Sequence, residues 1–197
     1  MARPIEFSRE EVLDKAMQTF WQYGYQGTSM ADLVEATHLN PGSLYAAFAS
    51  KEGLFLTVLD HYAARSAQRL RQSLQDAKSP LLGIRQYFRQ LADDVANSQD
   101  RNSCLLVNTV LELSRQNETV QERVNHHLKT IEELFRQVLK EAQARGELST
   151  DKDIGELSAF LMNKIWGLRV LAGTAPSAAR TRAVVKQMLQ CLFDGKA

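Results

Sequence analysis

The sequence predicts an all-α protein, and three observations carry that expectation. Apolar residues recur at steps of three and four through nearly all of its 197 residues. Residues that start or stop helices stand at the ends of these periodic runs. No stretch of five or more residues alternates as a half-buried strand would.

The elements follow in order. Val12, Leu13, Ala16, Met17 and Phe20 form the apolar stripe of a first helix, which ends near Gly24 and Gly27. Thr28 or Ser29 caps a second helix, and Asp32 falls where a capping-box acid belongs. Met30, Leu33 and Val34 supply its apolar face, and the chain then turns through Thr37 and His38. Asn40 is a suitable N-cap and Pro41 suits the first position of a third helix, where a missing N–H costs nothing. Leu39 and Leu44 stand at hydrophobic-staple spacing across that cap. Ser50 caps a fourth helix bearing Leu54, Phe55, Val58, Leu59 and Tyr62.

After Ser79-Pro80, the run Leu81, Ile84, Phe88, Leu91 and Val95 marks another helix. A long helix is expected over 118–145, from Val120 to Ala142, with Gly146 near its stop. Two more are expected over 151–173 and 177–194. From Ile154 to Leu171 apolar residues cover most of the circumference, which calls for burial on more than one side. Val184, Val185, Met188, Leu189, Leu192 and Phe193 lie on one face of the last helix.

Composition is ordinary for a globular protein, 44% hydrophobic and 24% charged, with a net charge of +1 that favours no class of partner. Nothing approaches the roughly 20 apolar residues of a membrane span. The amino end has no apolar core of a secretory signal. A cytoplasmic location with reduced Cys104 and Cys191 is therefore expected. The four histidines form no metal pattern, and His126 and His127 diverge by about 100° on a helix. No phosphate loop, nucleophile elbow, paired-carboxylate site or zinc-protease motif is present, so neither an enzyme nor a cofactor is indicated.

The short third helix carries the functional signal. Two short helices and a turn of three or four residues, with a third helix ahead of them, make a helix-turn-helix arrangement. Asn40, Gly42, Ser43, Ala46 and Ala47 are small or polar, and no charge stands between Glu35 and Lys51. Such a surface suits a helix that enters the major groove, about 12 Å wide. Short helices also serve as plain connectors, and the charge balance opposes DNA. Residues 1–52 hold four basic and seven acidic side chains, although none of the acids lies in 36–51.

The stretch FWQYGYQGTSMADLVEATHLNPGSLYAAFASKEGLF resembles the signature of the TetR family of bacterial transcriptional repressors. The matching features are Tyr23-Gly24-Tyr25, Thr28-Ser29, Gly42-Ser43-Leu44-Tyr45, Phe48, Lys51-Glu52 and Leu54-Phe55. CLLVNTVLEL, residues 104–113, resembles a run found in one branch of that family. The resemblance implies an amino-terminal DNA-binding domain over 1–52 and a larger helical effector-binding and dimerisation domain over 53–197. It implies a homodimer that binds a near-palindromic duplex and is released by a small molecule.

Carried over by position, Thr28, Tyr45 and Lys51 would hold phosphates, with Ser29 beside them at the cap. Asn40, Gly42 and Ser43 would contact bases or backbone, and Leu44 and Phe48 would lock the recognition helix in place. His38 stands where the family usually has Gly, and Pro41 where it often has Lys. Arg3 on the amino-terminal arm is a compensating cation. The family's dimer interface would fall on 154–171 and 182–193.

Tyr62, Phe88, Cys104, Asn108, Phe160, Asn163 and Trp166 are the expected lining of an effector pocket. Cys104, in the first turn of a helix and close to Arg101, is also a candidate redox or electrophile sensor, or else simply a packed residue. Cys191, between Leu189 and Leu192, is expected to pack. A helical dimer without DNA affinity is the alternative to a repressor.

Overall fold

The computed structural model describes residues 8–97, 104–113, 116–174 and 176–193. Among these the chain forms nine α-helices and no strand. They are α1 (Arg9–Gly27), α2 (Met30–Thr37), α3 (Pro41–Phe48), α4 (Lys51–Gln75), α5 (Pro80–Asn97), α6 (Leu105–Leu113), α7 (Glu118–Ala144), α8 (Ile154–Ala172) and α9 (Ala178–Phe193).

The helix starts follow local chemistry. Ser8, Ser29, Asn40, Ser50, Asn117 and Asp153 are N-caps whose side chains accept a backbone N–H of the first turn. Ser29 and Asp32 form the reciprocal capping box. The Ser29 N–H and hydroxyl hold the Asp32 carboxyl below its usual range. Gly146 takes φ 72° after α7, as a helix-stopping glycine should.

Two apolar clusters organise the packing. The first joins α1, α2 and α3 to the start of α4, to α6 and to the beginning of α7. Its centre is aromatic, with Phe20 and Phe55 edge to face at 4.8 Å. The second joins the end of α4 to α5, α7, α8 and α9, with Phe88 stacked on Phe135 at 6.1 Å. Leu128 and Trp166 touch both. α4 also spans both, so packing is continuous from the short amino-terminal helices into the larger bundle.

Two polar clasps flank α4. Asp14 of α1 accepts from His61 at 2.8 Å and Arg65 at 2.5 Å. Asp60 accepts from Arg123 at 2.6 Å and His127 at 2.8 Å, both on α7. Burial lowers the His127 pKa despite the Asp60 carboxylate beside it.

Val184 is 51% exposed on the side of α9 that α5 does not cover, within the segment 182–193 where a dimer interface is expected. Two placements differ from expectation. Cys191 is exposed too, its Sγ accepting from Gln187 Nε2 at 3.5 Å, whereas Leu189 beside it is buried. Asn163 points to solvent, since α8 buries Leu161, Met162, Ile165 and Leu168 and leaves the Ala159–Asn163–Gly167–Val170 stripe outside.

Candidate nucleic-acid interface

α2 and α3 form the two short arms of a corner. His38 closes α2 in the left-handed region, φ 59° and ψ 20°, with its N–H on the Val34 carbonyl at 2.9 Å. Gly is the usual residue for this conformation, and His accepts it at a modest cost. Leu39 and Leu44 are both buried across the Asn40 cap, which sets the angle at which α3 leaves the turn.

α3 is locked by its inner face and open on its outer one. Leu44 and Phe48 are buried, with the Arg9 guanidinium over the Phe48 ring at 5.5 Å. Asn40, Pro41, Gly42, Tyr45, Ala46 and Ala47 are exposed and Ser43 is half-buried. Asn40 Oδ1 accepts from the Ser43 N–H at 2.8 Å, on an otherwise exposed side chain. Tyr45, at 49% exposure, is the one large side chain on this open face. The surface is uncharged, narrow and rigidly held, as insertion into a groove requires.

Thr28 and Lys51 are placed differently from Tyr45. Thr28 is buried and its hydroxyl donates to the Gly24 carbonyl at 2.6 Å. Lys51 Nζ donates to the carbonyls of Tyr25 at 2.9 Å and Thr28 at 2.8 Å, and lies 4.3 Å from the Tyr25 ring centroid. Thr28 thus closes the end of α1 on itself, while Lys51 ties that end to the start of α4 and keeps one of its three donors for a phosphate. Ser29 is exposed, with its hydroxyl on Asp32. Arg3 lies outside the described residues.

Sequence reading missed Glu112. α1 breaks at Gly24, φ 73° and ψ 173°, and its next two N–H groups turn outward. Glu112 of α6 accepts both, from Tyr25 N at 3.0 Å and Gln26 N at 2.8 Å. Gln26 Nε2 donates to Gln116 at 2.6 Å, and Asn117 Nδ2 to Glu52 at 2.9 Å. The corner is therefore bound to the larger bundle by polar contacts separated by 65–90 residues of chain. The family-like run at 104–113 is the sequence feature that coincides with α6.

The expected pocket residues do not form one lining. Tyr62 and Cys104 meet, the tyrosine hydroxyl donating to Sγ at 3.4 Å, and Trp21 packs edge to face on Tyr62 at 5.4 Å. Cys104 is buried immediately before α6, and its carbonyl accepts the N–H of Asn108 at 2.9 Å. Arg101 is outside the described residues. Phe88 is buried within the second cluster, while Phe160 is half-buried at its edge beneath the Lys164 ammonium at 4.5 Å. Trp166 borders a cavity of about 70 Å³ between α6, α7 and α8. Asn163, outside, belongs to no pocket with them. No group of three or more metal-ligating side chains exists among the described residues. No described helix is long and apolar enough to cross a membrane.

Comparison with known proteins agrees with this architecture. Residues 12–58 match the family described as bacterial regulatory proteins, tetR family, and residues 80–188 match the tetracyclin repressor-like C-terminal domain. The HTH-type transcriptional repressor ComR of Escherichia coli K12 is 35% identical over 95% of this chain and 87% of its own. The HTH-type regulator YezE of Bacillus subtilis is 26% identical over 98% of this chain and 100% of its own. Among solved structures, a cysteine mutant of the TetR regulator CifR, complexed with 26-bp double-strand operator DNA, superposes with a TM-score of 0.87. It is 34% identical and covers 97% of this chain and 100% of its own. With both halves of the chain matched and the reader corner assembled, this protein belongs to the TetR family of bacterial regulatory proteins and is a transcriptional regulator of that family.

Proposed function

We propose that this protein is a homodimeric repressor that binds a near-palindromic operator through α2 and α3 and releases it when a small molecule enters the helical core. Residues 1–52 are the reader and 53–197 the effector-binding and dimerisation part. The observation that carries the reading is α3 itself. A helix with an uncharged outer face, held by buried Leu44 and Phe48, is oriented for a groove rather than for solvent. Phosphate attraction comes from Tyr45, the remaining Lys51 donor and the backbone N–H groups at the starts of α2 and α4, which offsets the acidic balance of α1.

Affinity selection of a random duplex pool on the reduced protein, followed by sequencing, tests this. A palindrome should be enriched. Tyr45→Ala should weaken binding to it by about ten- to a hundredfold, the value of a hydrogen bond to a charged group. Absence of any enriched sequence at low salt would instead support a helical dimer without DNA affinity.

A second reading, sensing through the Cys104 thiol, is favoured by the Tyr62 hydroxyl set on its Sγ. Operator release by hydrogen peroxide that persisted unchanged in Cys104→Ser would end it.

A further inference from the structure

The most unusual interior chemistry lies where α4, α5 and α8 meet. A cavity of about 40 Å³ there is bordered by Ser66, Arg69, Tyr87, Asp94 and Arg169. The second cavity, beside Trp166, opens on the same helix, and Trp166 and Arg169 are three residues apart and hence on neighbouring positions of one face. Two residues on these walls carry a buried polar atom with no hydrogen-bond partner among the described residues, Ser66 Oγ and Trp166 Nε1. Such groups are rare in folded proteins because each forfeits its hydration.

Charge adds to this. Half-buried Arg169 and the exposed Arg69 border the cavity with one carboxylate, Asp94, which already accepts from Gln90 Nε2 at 2.9 Å. Among the described residues neither guanidinium has a carboxylate oxygen within 4 Å. Burial pushes the pKa of both Tyr62 and Tyr87 up, so their hydroxyls stay protonated. The indole N–H, the serine hydroxyl, the Tyr87 hydroxyl and the guanidinium forks can all donate. An ionised carboxylate accepts only, and its two oxygens match the fork of an arginine.

We propose that the effector is a small organic acid whose carboxylate sits on Arg169 and whose apolar body runs along α8 towards Trp166. This rests on the reading of the helical core as an effector-binding part. One water needs about 10–15 Å³, so the two cavities hold only a few atoms as they stand. The acid therefore enters by moving α4 away from α5 and α8, which line the smaller cavity with it. Since α4 begins at Lys51, inside the reader corner, its displacement reaches the residues that hold α1, α2 and α3 together.

The test uses the full chain, titrated with benzoate, hexanoate and octanoate, each beside its uncharged amide. Tryptophan fluorescence reports directly, because Trp166 and Trp21 are its two indoles. Thermal unfolding and operator binding are followed in parallel. At least one acid should saturate, raise the unfolding temperature and weaken operator binding, with its amide at least about tenfold weaker. Arg169→Gln should remove that preference and Arg169→Lys keep part of it. Amides that bind as well as their acids overturn the proposal, as does undiminished acid binding by Arg169→Gln, or the lack of saturation by any acid of the series. The acid-against-amide comparison needs only the wild-type chain, so it stands even if a variant does not fold. Operator binding without acid is measured on the same preparation. Its absence would count against the repressor reading, whereas operator binding indifferent to every acid would count against the effector class alone.

Discussion

At the scale of single residues, the reader corner depends on a few atoms with no room to move. Gly53 is the sharpest case. A Cβ there would lie 2.1 Å from the Phe48 carbonyl oxygen, a backbone atom that cannot step aside without moving α3. Its φ is not in the left-handed region, so the requirement is close approach alone. Gly53→Ala should cost roughly 1–3 kcal/mol, the usual range for forced overpacking. Urea unfolding measures this, and an unchanged midpoint would mean that α3 and α4 separate more easily than their packing implies. His38 and Ala49, the two non-glycine residues with positive φ among the described residues, flank α3 on either side. The strain is thus concentrated at the two ends of the helix expected to meet DNA.

At the scale of elements, α6 has two ends with different duties. Its amino end begins at Cys104 against Tyr62, close to the interior polar cluster, and its carboxyl end carries Glu112 to the broken α1. A carboxylate that accepts two backbone N–H groups is worth roughly 1.5–3 kcal/mol per bond to a charged group. Glu112→Gln keeps the shape, loses the charge and turns one acceptor into a donor. Amide exchange at Tyr25 and Gln26 should quicken, and operator binding should become less responsive to effector. Unaltered exchange rates at both amides would show that Gly24 holds its conformation without help from α6.

At the scale of the molecule, α8 presents a stripe that single-chain packing leaves over. Ala159, Asn163, Gly167 and Val170 are exposed at helical spacing, and Val170 is 52% exposed. Val184 and Cys191 of α9 are exposed as well. Small side chains allow two helices to approach closely, and exposed valines gain by being covered. If this surface joins two copies, Val170→Glu should give a folded monomer by light scattering and circular dichroism. Its operator affinity should then fall by roughly 100- to 10,000-fold, the gain that two linked readers have over one. A Val170→Glu protein that stayed dimeric would move the interface elsewhere.

Whatever is set within one or two helical turns was legible from the residues alone. Ser29 with Asp32, Asn40 with Pro41, and Ser50 start their helices by contacts three residues away, so their pattern is visible in a line of text. The inward direction of Leu44 and Phe48 followed from the same periodicity. Tertiary structure alone decided what depends on distant neighbours. Cys191 looked like core because periodicity identifies an apolar face without saying whether anything covers it. Asn163 looked like pocket for the same reason, although α8 turns it outward. Lys51 was legible as a charge, but not as a donor to the carbonyls of Tyr25 and Thr28. Glu112 gave no local sign, because its partners lie 86 and 87 residues away. The buried Ser66 Oγ and Trp166 Nε1, without a hydrogen-bond partner among the described residues, are likewise products of helices meeting. A polar side chain becomes unsatisfied only when the fold removes water from around it.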